Sequence, residues 1–260
     1  MTLGETRYGG SYLQLARPTL LFAVAYMCSV TPHELAHAVA AAMLGHSAMV
    51  FQLWANYDVS NASPHDVAIV AAAGPVFSLA VGMAPLVVYL PSRQRGVGLL
   101  WLMLAAMNLA LGVGNVFGVA FGSDGHTVAA SMDFSRGEQA AASTVGCLAL
   151  VGMMTWAGRE LVKWAPPALG RLAAATWMVL VPAVGGTIAT LVAYAPLPGP
   201  VAAAHLSELV FWAVALVAAL TAKHRAMFPA TSVAVADTGI TLVAVIAVRL
   251  LTGGVHIPAL

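Results

Sequence analysis

Seven apolar runs, each about as long as a membrane-crossing helix, dominate this sequence. A helix needs about 20 mostly apolar residues to cross the hydrocarbon core of a bilayer. Charged residues make up only 8% of the 260 positions, whereas soluble domains carry about 25%. Because so few charges cannot cover a globule with a polar surface, the sequence predicts an all-α integral membrane protein. The predicted spans are 18–44, 65–90, 97–120, 138–162, 172–196, 202–222 and 231–252.

The distribution of basic residues predicts how the helices are oriented. Positively charged loops remain on the cytoplasmic side of a membrane. The N-terminus and the loops after the second, fourth and sixth spans hold nine of the eleven lysines and arginines, which places the N-terminus in the cytoplasm. These nine are Arg7, Arg17, Arg93, Arg95, Arg159, Lys163, Arg171, Lys223 and Arg225. The high alanine content and the lack of a eukaryotic sorting tail favour a bacterial plasma membrane.

The loops and the net charge limit the domains and partners that we expect. No loop is long enough to form a soluble domain, so residues 1–260 are predicted to form a single membrane domain. Within the longest loop, residues 49–54 alternate partly between apolar and polar side chains, which predicts a short strand or hairpin. The net charge of +1 provides no basic patch for nucleic acid. The expected surroundings are lipid, and the sequence leaves the oligomeric state open.

The segment His33-Glu34-Leu35-Ala36-His37 carries the clearest chemical signal. Residues four apart share one face of a helix, so His33 and His37 can present two imidazoles to one zinc ion. Glu34 can hold the water that completes such a site and accept its proton as the water attacks a carbonyl. Ionisable residues deep in a membrane helix are costly, and they indicate function.

Pro32 leaves two conformations open for the start of this motif. Thr31-Pro32-His33-Glu34 matches a capping box that would begin a new helix and engage Glu34 in capping. Alternatively, the helix continues through Pro32 with a kink, since the apolar run extends upstream from Val30 to Leu20. We prefer the continuous helix, which leaves Glu34 available for chemistry.

Two histidines and a water leave one protein ligand to be found. The third histidine of a longer zinc motif would fall at Met43, and His46 comes three residues too late. Asp124, in Gly122-Ser123-Asp124-Gly125-His126 after the third span, is the best candidate because its carboxylate can reach across to the first helix. His126 remains an alternative ligand, although an interfacial position suits it better.

These motifs together resemble the site-2 protease family of intramembrane zinc metalloproteases. The resemblance rests on the membrane-embedded HExxH, on Ala73-Gly74-Pro75, and on a helix with an asparagine that leads to Asp124-Gly125. It covers about residues 18–130, and it implies that this range forms a three-helix zinc protease core. Residues 138–252 would then form additional transmembrane helices, whose role the resemblance does not explain.

The resemblance also implies roles for individual residues. His33, His37 and Asp124 would bind zinc, and Glu34 would act as general base. The substrates would be membrane-anchored proteins, cut within or near their membrane segment. Where the family has an Asn-x-x-Pro run, this chain has Asn115-Val116-Phe117-Gly118 without the proline. Asn115 is a candidate for substrate binding because an amide near the metal can orient a carbonyl group.

Other polar and small residues support different interpretations. Glu208 and Asp237, in the sixth and seventh spans, would be the working residues of a non-proteolytic transporter or metal-binding interaction protein. Small residues recur every four positions in the second and third spans, which predicts close helix packing. They are Gly74, Ser78 and Gly82 in the second span and Gly114, Gly118 and Gly122 at the end of the third.

Overall fold

The computed structural model describes residues 9–51, 53–93, 98–195, 197–222 and 253–260. Within these ranges the chain is mostly helical and carries one small sheet. Its helices are α1 (Gly9–Met43), α2 (Pro64–Ser92), α3 (Gly98–Phe117), α4 (Asp124–Ser131), α5 (Arg136–Leu161), α6 (Arg171–Ala175), α7 (Val181–Tyr194), α8 (Gly199–Ser207) and α9 (Leu209–Thr221).

Five helical stretches of the described chain are long and apolar enough to cross a membrane, and they coincide with the second to sixth predicted spans. They are Pro64–Ser92, Gly98–Ala120, Arg136–Trp164, Arg171–Tyr194 and Val201–Thr221. The first predicted span, 18–44, lies in α1, which is not among the five and whose apolar run the HExxH motif interrupts. The seventh predicted span, 231–252, lies outside the described residues.

The loop after α1 forms a hairpin, as predicted, but its two strands lie at either end of the predicted segment 49–54, which mainly forms the turn. Strands β1 (Ala48–Val50) and β2 (Ala55–Tyr57) pair antiparallel. A third strand, β3 (Val255–Ile257), pairs antiparallel with the other edge of β1, so that the strand order is β2-β1-β3. Strand β3 could not be predicted from the sequence. It has only three residues, which leave no periodic signal, and its partner β1 lies more than 200 positions earlier in the chain.

Helix α1 lies at the centre of the described bundle, where it packs against α2, α3 and α7. Leu21 and Ala25 are fully buried, and the buried Asn108 of α3 donates to Ser29 Oγ of α1 over 2.7 Å. Helices α2 and α3 approach closely, since a Cβ on Gly82 would lie 3.0 Å from the Leu109 backbone nitrogen. This contact agrees with the packing predicted for the small residues of the second span.

Of the three glycines predicted to pack in the third span, only Gly118 is in close packing, against Ser123 at the start of α4, whereas a Cβ on Gly114 or Gly122 would meet no close contact. Gly114, Gly118 and Gly122 all line a cavity. Gly122 also has a φ of +98°, which suits glycine because it lacks a Cβ, at the turn that reverses the chain into α4. The three glycines therefore help to keep the cavity open, and Gly122 also permits the tight turn into α4.

Candidate metal centre

Helix α1 continues without interruption through Pro32 and carries the HExxH motif on its second half. The capping box does not form. Thr31 Oγ1 lies 3.2 Å from the hydroxyl of Tyr194 on α7, and the Glu34 carboxylate is bound elsewhere, as described below. The continuous helix that we preferred from the sequence is therefore the one present, and it places His33 and His37 one turn apart on the same face.

Three ligand atoms converge beside this face. His33 Nε2 and His37 Nε2 lie 3.2 Å apart, and Asp124 Oδ2 lies 3.2 Å from the first and 3.3 Å from the second. Zinc binds imidazole and carboxylate at about 2.0–2.2 Å with tetrahedral geometry, so its ligand atoms are roughly 3.3 Å apart. The three side chains thus form one face of a tetrahedron of the size that a metal ion such as zinc requires.

Helix α2 fixes the orientation of both imidazoles. His37 Nδ1 lies 2.7 Å from the Val70 carbonyl oxygen, and His33 Nδ1 lies 2.8 Å from Ser78 Oγ. A carbonyl oxygen only accepts, so Nδ1 of His37 carries a proton, and in the neutral ring Nε2 is the nitrogen left to bind a metal. Between them, Gly74 lets α2 approach, because a Cβ there would lie within 2.7 Å of His33 Nε2.

Asp124 reaches the histidines because the turn before α4 folds back onto α3. Its backbone nitrogen donates to Asn115 Oδ1 over 3.1 Å, and Ser123 Oγ donates to the Asn115 carbonyl oxygen. A Cβ on Gly125 would collide with that same carbonyl oxygen. Gly118, which stands in place of the proline of the family pattern, packs against Ser123. In the Asp124-Gly125 pair, the aspartate therefore supplies the carboxylate, and the glycine lets the start of α4 pack closely against α3.

The structure gives Asn115 a positioning contact. Its Oδ1 accepts from the Asp124 backbone, and its Nδ2 donates to the Leu111 carbonyl oxygen over 3.0 Å. Both ends of the amide are thus engaged within the protein, while the side chain also borders the cavity described below. The substrate contact expected from the sequence remains a prediction.

We expect Asn115→Ala to weaken zinc binding by about 10–100-fold, since residues that orient metal ligands typically contribute this much. Zinc affinity can be measured by competition with a chelator. Asn108→Ala is the matched control, because Asn108 lies on the same helix and binds Ser29 and the Leu104 carbonyl oxygen, away from the metal ligands. Equal losses in the two variants would mean that Asn115 only supports α3.

The surroundings of Asp124 keep its carboxyl group ionised. Burial raises the pKa of the Asp124 carboxyl, but the hydrogen bonds and charges of His33 and His37 outweigh this effect and hold the pKa well below its usual range. The carboxylate is therefore ionised at neutral pH and can act as an anionic ligand.

Glu34 lies beside the ligand face and is held by the hairpin. Its Oε2 accepts a hydrogen bond of 2.8 Å from the Ala55 backbone nitrogen of β2. The side chain borders the same cavity as His33 and Asp124. The hairpin, which the sequence analysis connected only with substrate, therefore also positions the candidate general base.

Tyr57, two residues after Ala55 on β2, is a site residue that the sequence analysis missed. Its ring lies 6.3 Å from that of His37, between centroids. Burial raises the pKa of its hydroxyl to about 12, with added contributions from the charges of Asp124 and Glu34. The hydroxyl is therefore protonated at neutral pH and can donate a hydrogen bond. Only the pairing of the hairpin brings it here, so no local sequence signal could have identified it.

A cavity of about 470 Å³ opens beside His33 and Asp124, between α1, α3 and the α8–α9 region. His205 and Glu208, which also line it, belong to a second polar cluster that the sequence did not reveal. The Tyr26 hydroxyl donates to Glu208 Oε2 over 2.8 Å and lies 2.7 Å from His205 Nδ1. His205 Nε2 lies 3.4 Å from the Leu53 carbonyl oxygen in the hairpin. Glu208 thus shares the cavity with the ligands, and Asp237 lies outside the described residues.

His126 points away from the ligand set. Its Nδ1 lies 2.8 Å from the Val119 carbonyl oxygen, and its backbone nitrogen donates to Ser123 Oγ, which caps α4. Within the described chain, the metal-binding group comprises His33, His37 and Asp124.

No family model, curated protein or solved structure matches this chain.

Proposed function

We propose that the chain is a zinc-dependent intramembrane endopeptidase of the site-2 protease type. The observation that carries this proposal is the triangle of His33 Nε2, His37 Nε2 and Asp124 Oδ2, with edges of 3.2–3.3 Å. A glutamate that directly follows the first histidine accompanies it on α1. Three protein ligands and an open side are typical of catalytic zinc sites, whereas structural sites have four protein ligands.

In the proposed reaction, the metal and the protein side chains have different roles. Zinc, when bound, would act as a Lewis acid that activates a water and polarises the substrate carbonyl. Glu34 accepts a proton from the attacking water and passes it to the leaving nitrogen as the peptide bond breaks. The Ala55 amide holds one oxygen of this carboxylate, so the group needs little reorganisation during the reaction.

The outer edge of β2 is the surface that we propose for binding an extended substrate. Between β1 and β2, Phe51 N donates to Trp54 O and Asp58 N donates to Ser47 O. Along β2, residues whose backbone groups face β1 therefore alternate with residues whose backbone groups face away from it. The Ala55 carbonyl and the amide and carbonyl groups of Tyr57 therefore point away from β1 and can pair with a substrate strand, whereas the Ala55 amide is engaged by Glu34. Both edges of β1 are occupied, by β2 and β3, so strand addition, first suggested for 49–54, fits β2 best.

The surroundings of the site follow from the same proposal. Five apolar helices suit a multi-pass protein in a lipid bilayer. The loop charges favour a cytoplasmic N-terminus, and the composition favours a bacterial plasma membrane. The substrate would be a membrane-anchored protein whose chain unwinds near the cut, because a helix hides its own backbone groups from strand pairing.

The proposal is tested on the full chain, purified in detergent and supplied with a membrane-anchored model substrate. We expect about one zinc per chain, loss of cleavage on chelation, and recovery when zinc is added back. Zinc is measured by elemental analysis and cleavage by mass spectrometry of the products. Cleavage that persists after zinc is removed would contradict the proposal, and so would a folded protein that binds no zinc. The latter result would favour a non-proteolytic role that involves Glu208 and Asp237.

A further inference from the structure

Two groups of side chains line the cavity beside the metal triangle. One group is His33, Glu34 and Asp124, the residues of the proposed reaction. The other group, which we call the apolar wall, comes from α1, α3 and α9. Its apolar side chains are Val30, Met107, Leu111, Phe211 and Trp212. A volume of about 470 Å³ lies within the range of about 300–1,000 Å³ typical of ligand pockets.

The Glu208 and His205 side chains that line the cavity already have partners within the protein. Glu208 accepts from Tyr26 and lies 3.1 Å from His205 Nδ1. The described residues that line the cavity include no lysine or arginine. An occupant of the apolar part therefore needs no charged group, and burial of apolar surface would supply most of its binding free energy.

Gly114 determines how much of this volume is available. A Cβ there would meet only the Phe211 ring, at 3.5 and 4.0 Å, which is ordinary van der Waals contact. Gly74 and Gly125 differ, because a Cβ on either would collide with the site itself. A Cβ at position 114 would therefore fit sterically, and the further atoms of a larger side chain would take up part of the cavity that Gly114 lines.

We infer that this cavity binds the side chain of the substrate residue next to the cleaved bond, that it prefers a large apolar side chain, and that Gly114 and Phe211 set its size. This inference rests on the proposed protease function. The reacting residues and the apolar wall border one continuous space, so a peptide bond placed at Glu34 brings a neighbouring side chain within reach of that wall.

The test compares two opposite changes on matched substrates. The model substrates differ at one position beside the cut, which carries Ala, Leu, Phe or Trp. Gly114→Val is expected to lower the rate ratio of Phe to Ala substrates by about 10–200-fold, because one methylene in an apolar pocket changes discrimination by this much. Phe211→Ala is expected to raise the ratio of Trp to Ala substrates. Gly152→Val is the control, because a Cβ on that exposed α5 residue meets no neighbouring atom.

The possible outcomes distinguish failure of the proposed function from failure of the pocket inference. If the wild-type protein cuts no substrate faster than Glu34→Gln does, the proposed function fails and the pocket fails with it. If the wild-type protein cuts but the size ratios stay unchanged in both Gly114→Val and Phe211→Ala, the pocket inference alone is overturned. A fall that is equal for all substrates also overturns it, because that result fits a space filled by a lipid chain. If Gly114→Val does not fold, Phe211→Ala decides through its opposite shift.

Discussion

Glu34→Gln is expected to lower the cleavage rate by about 10²–10⁴-fold and to leave zinc bound. A glutamine side chain cannot take up a proton from the attacking water, so the proton transfer would have no acceptor. Its carbonyl oxygen can still accept the hydrogen bond from the Ala55 amide, so the hairpin keeps its position. The zinc ligands are three other side chains. Zinc per chain and the single-turnover cleavage rate are measured on the same preparation.

Glu160→Gln provides the matched control for this change. Glu160 is a carboxylate on α5 that accepts a 2.8 Å hydrogen bond from the Tyr89 hydroxyl, and it does not border the cavity. The same chemical change there also removes the ion pair of Glu160 with Lys163 but touches no residue of the site, so the cleavage rate of the folded protein is expected to stay unchanged. A Glu34→Gln protein that cuts at the wild-type rate would show that Glu34 is not the general base of the reaction.

The local part of the site could be predicted from the sequence. The spacing of His33 and His37 is a property of any α-helix, so the pattern alone places both imidazoles on one face. The apolar runs likewise predicted five helices within about two residues of their observed ends, since long periodic segments leave the strongest signal. Asp124 required a further argument, because 87 residues separate it from His37.

The remainder depends on contacts that no local pattern encodes. The Val70 carbonyl oxygen orients His37, and a backbone atom has no signature in a sequence. Ala55 binds Glu34 only because the hairpin turns back over α1. The pairing of β3 with β1 closes a loop that includes residues outside the described chain. In each case the sequence supplies the side chain, and tertiary packing supplies its partner.

Gly74→Ala is expected to reduce zinc affinity by on the order of 100-fold, and to reduce cleavage accordingly. Its Cβ would lie 2.7 Å from both His33 Nε2 and His37 Cε1, and closer still to His37 Nε2. To make room, the rings must rotate or α2 must withdraw. Either movement breaks the bond from His37 Nδ1 to the Val70 carbonyl oxygen or that from His33 Nδ1 to Ser78 Oγ. The methyl group would therefore displace the ligand atoms and also break a hydrogen bond that orients the rings.

Gly82→Ala separates this effect from general damage to helix packing. Gly82 lies two turns further along the same face of α2, where a Cβ would lie 3.0 Å from the Leu109 backbone nitrogen and 3.1 Å from Asn108 Cβ. That variant strains the contact between α2 and α3 without touching either histidine, so its melting temperature is expected to fall while its zinc content stays near one per chain. If Gly74→Ala instead keeps its zinc and Gly82→Ala loses it, the metal does not sit at the Nε2 triangle. Because the methyl group would occupy the place of the ligand atoms, zinc content in this pair of variants tests the site even before a substrate is known.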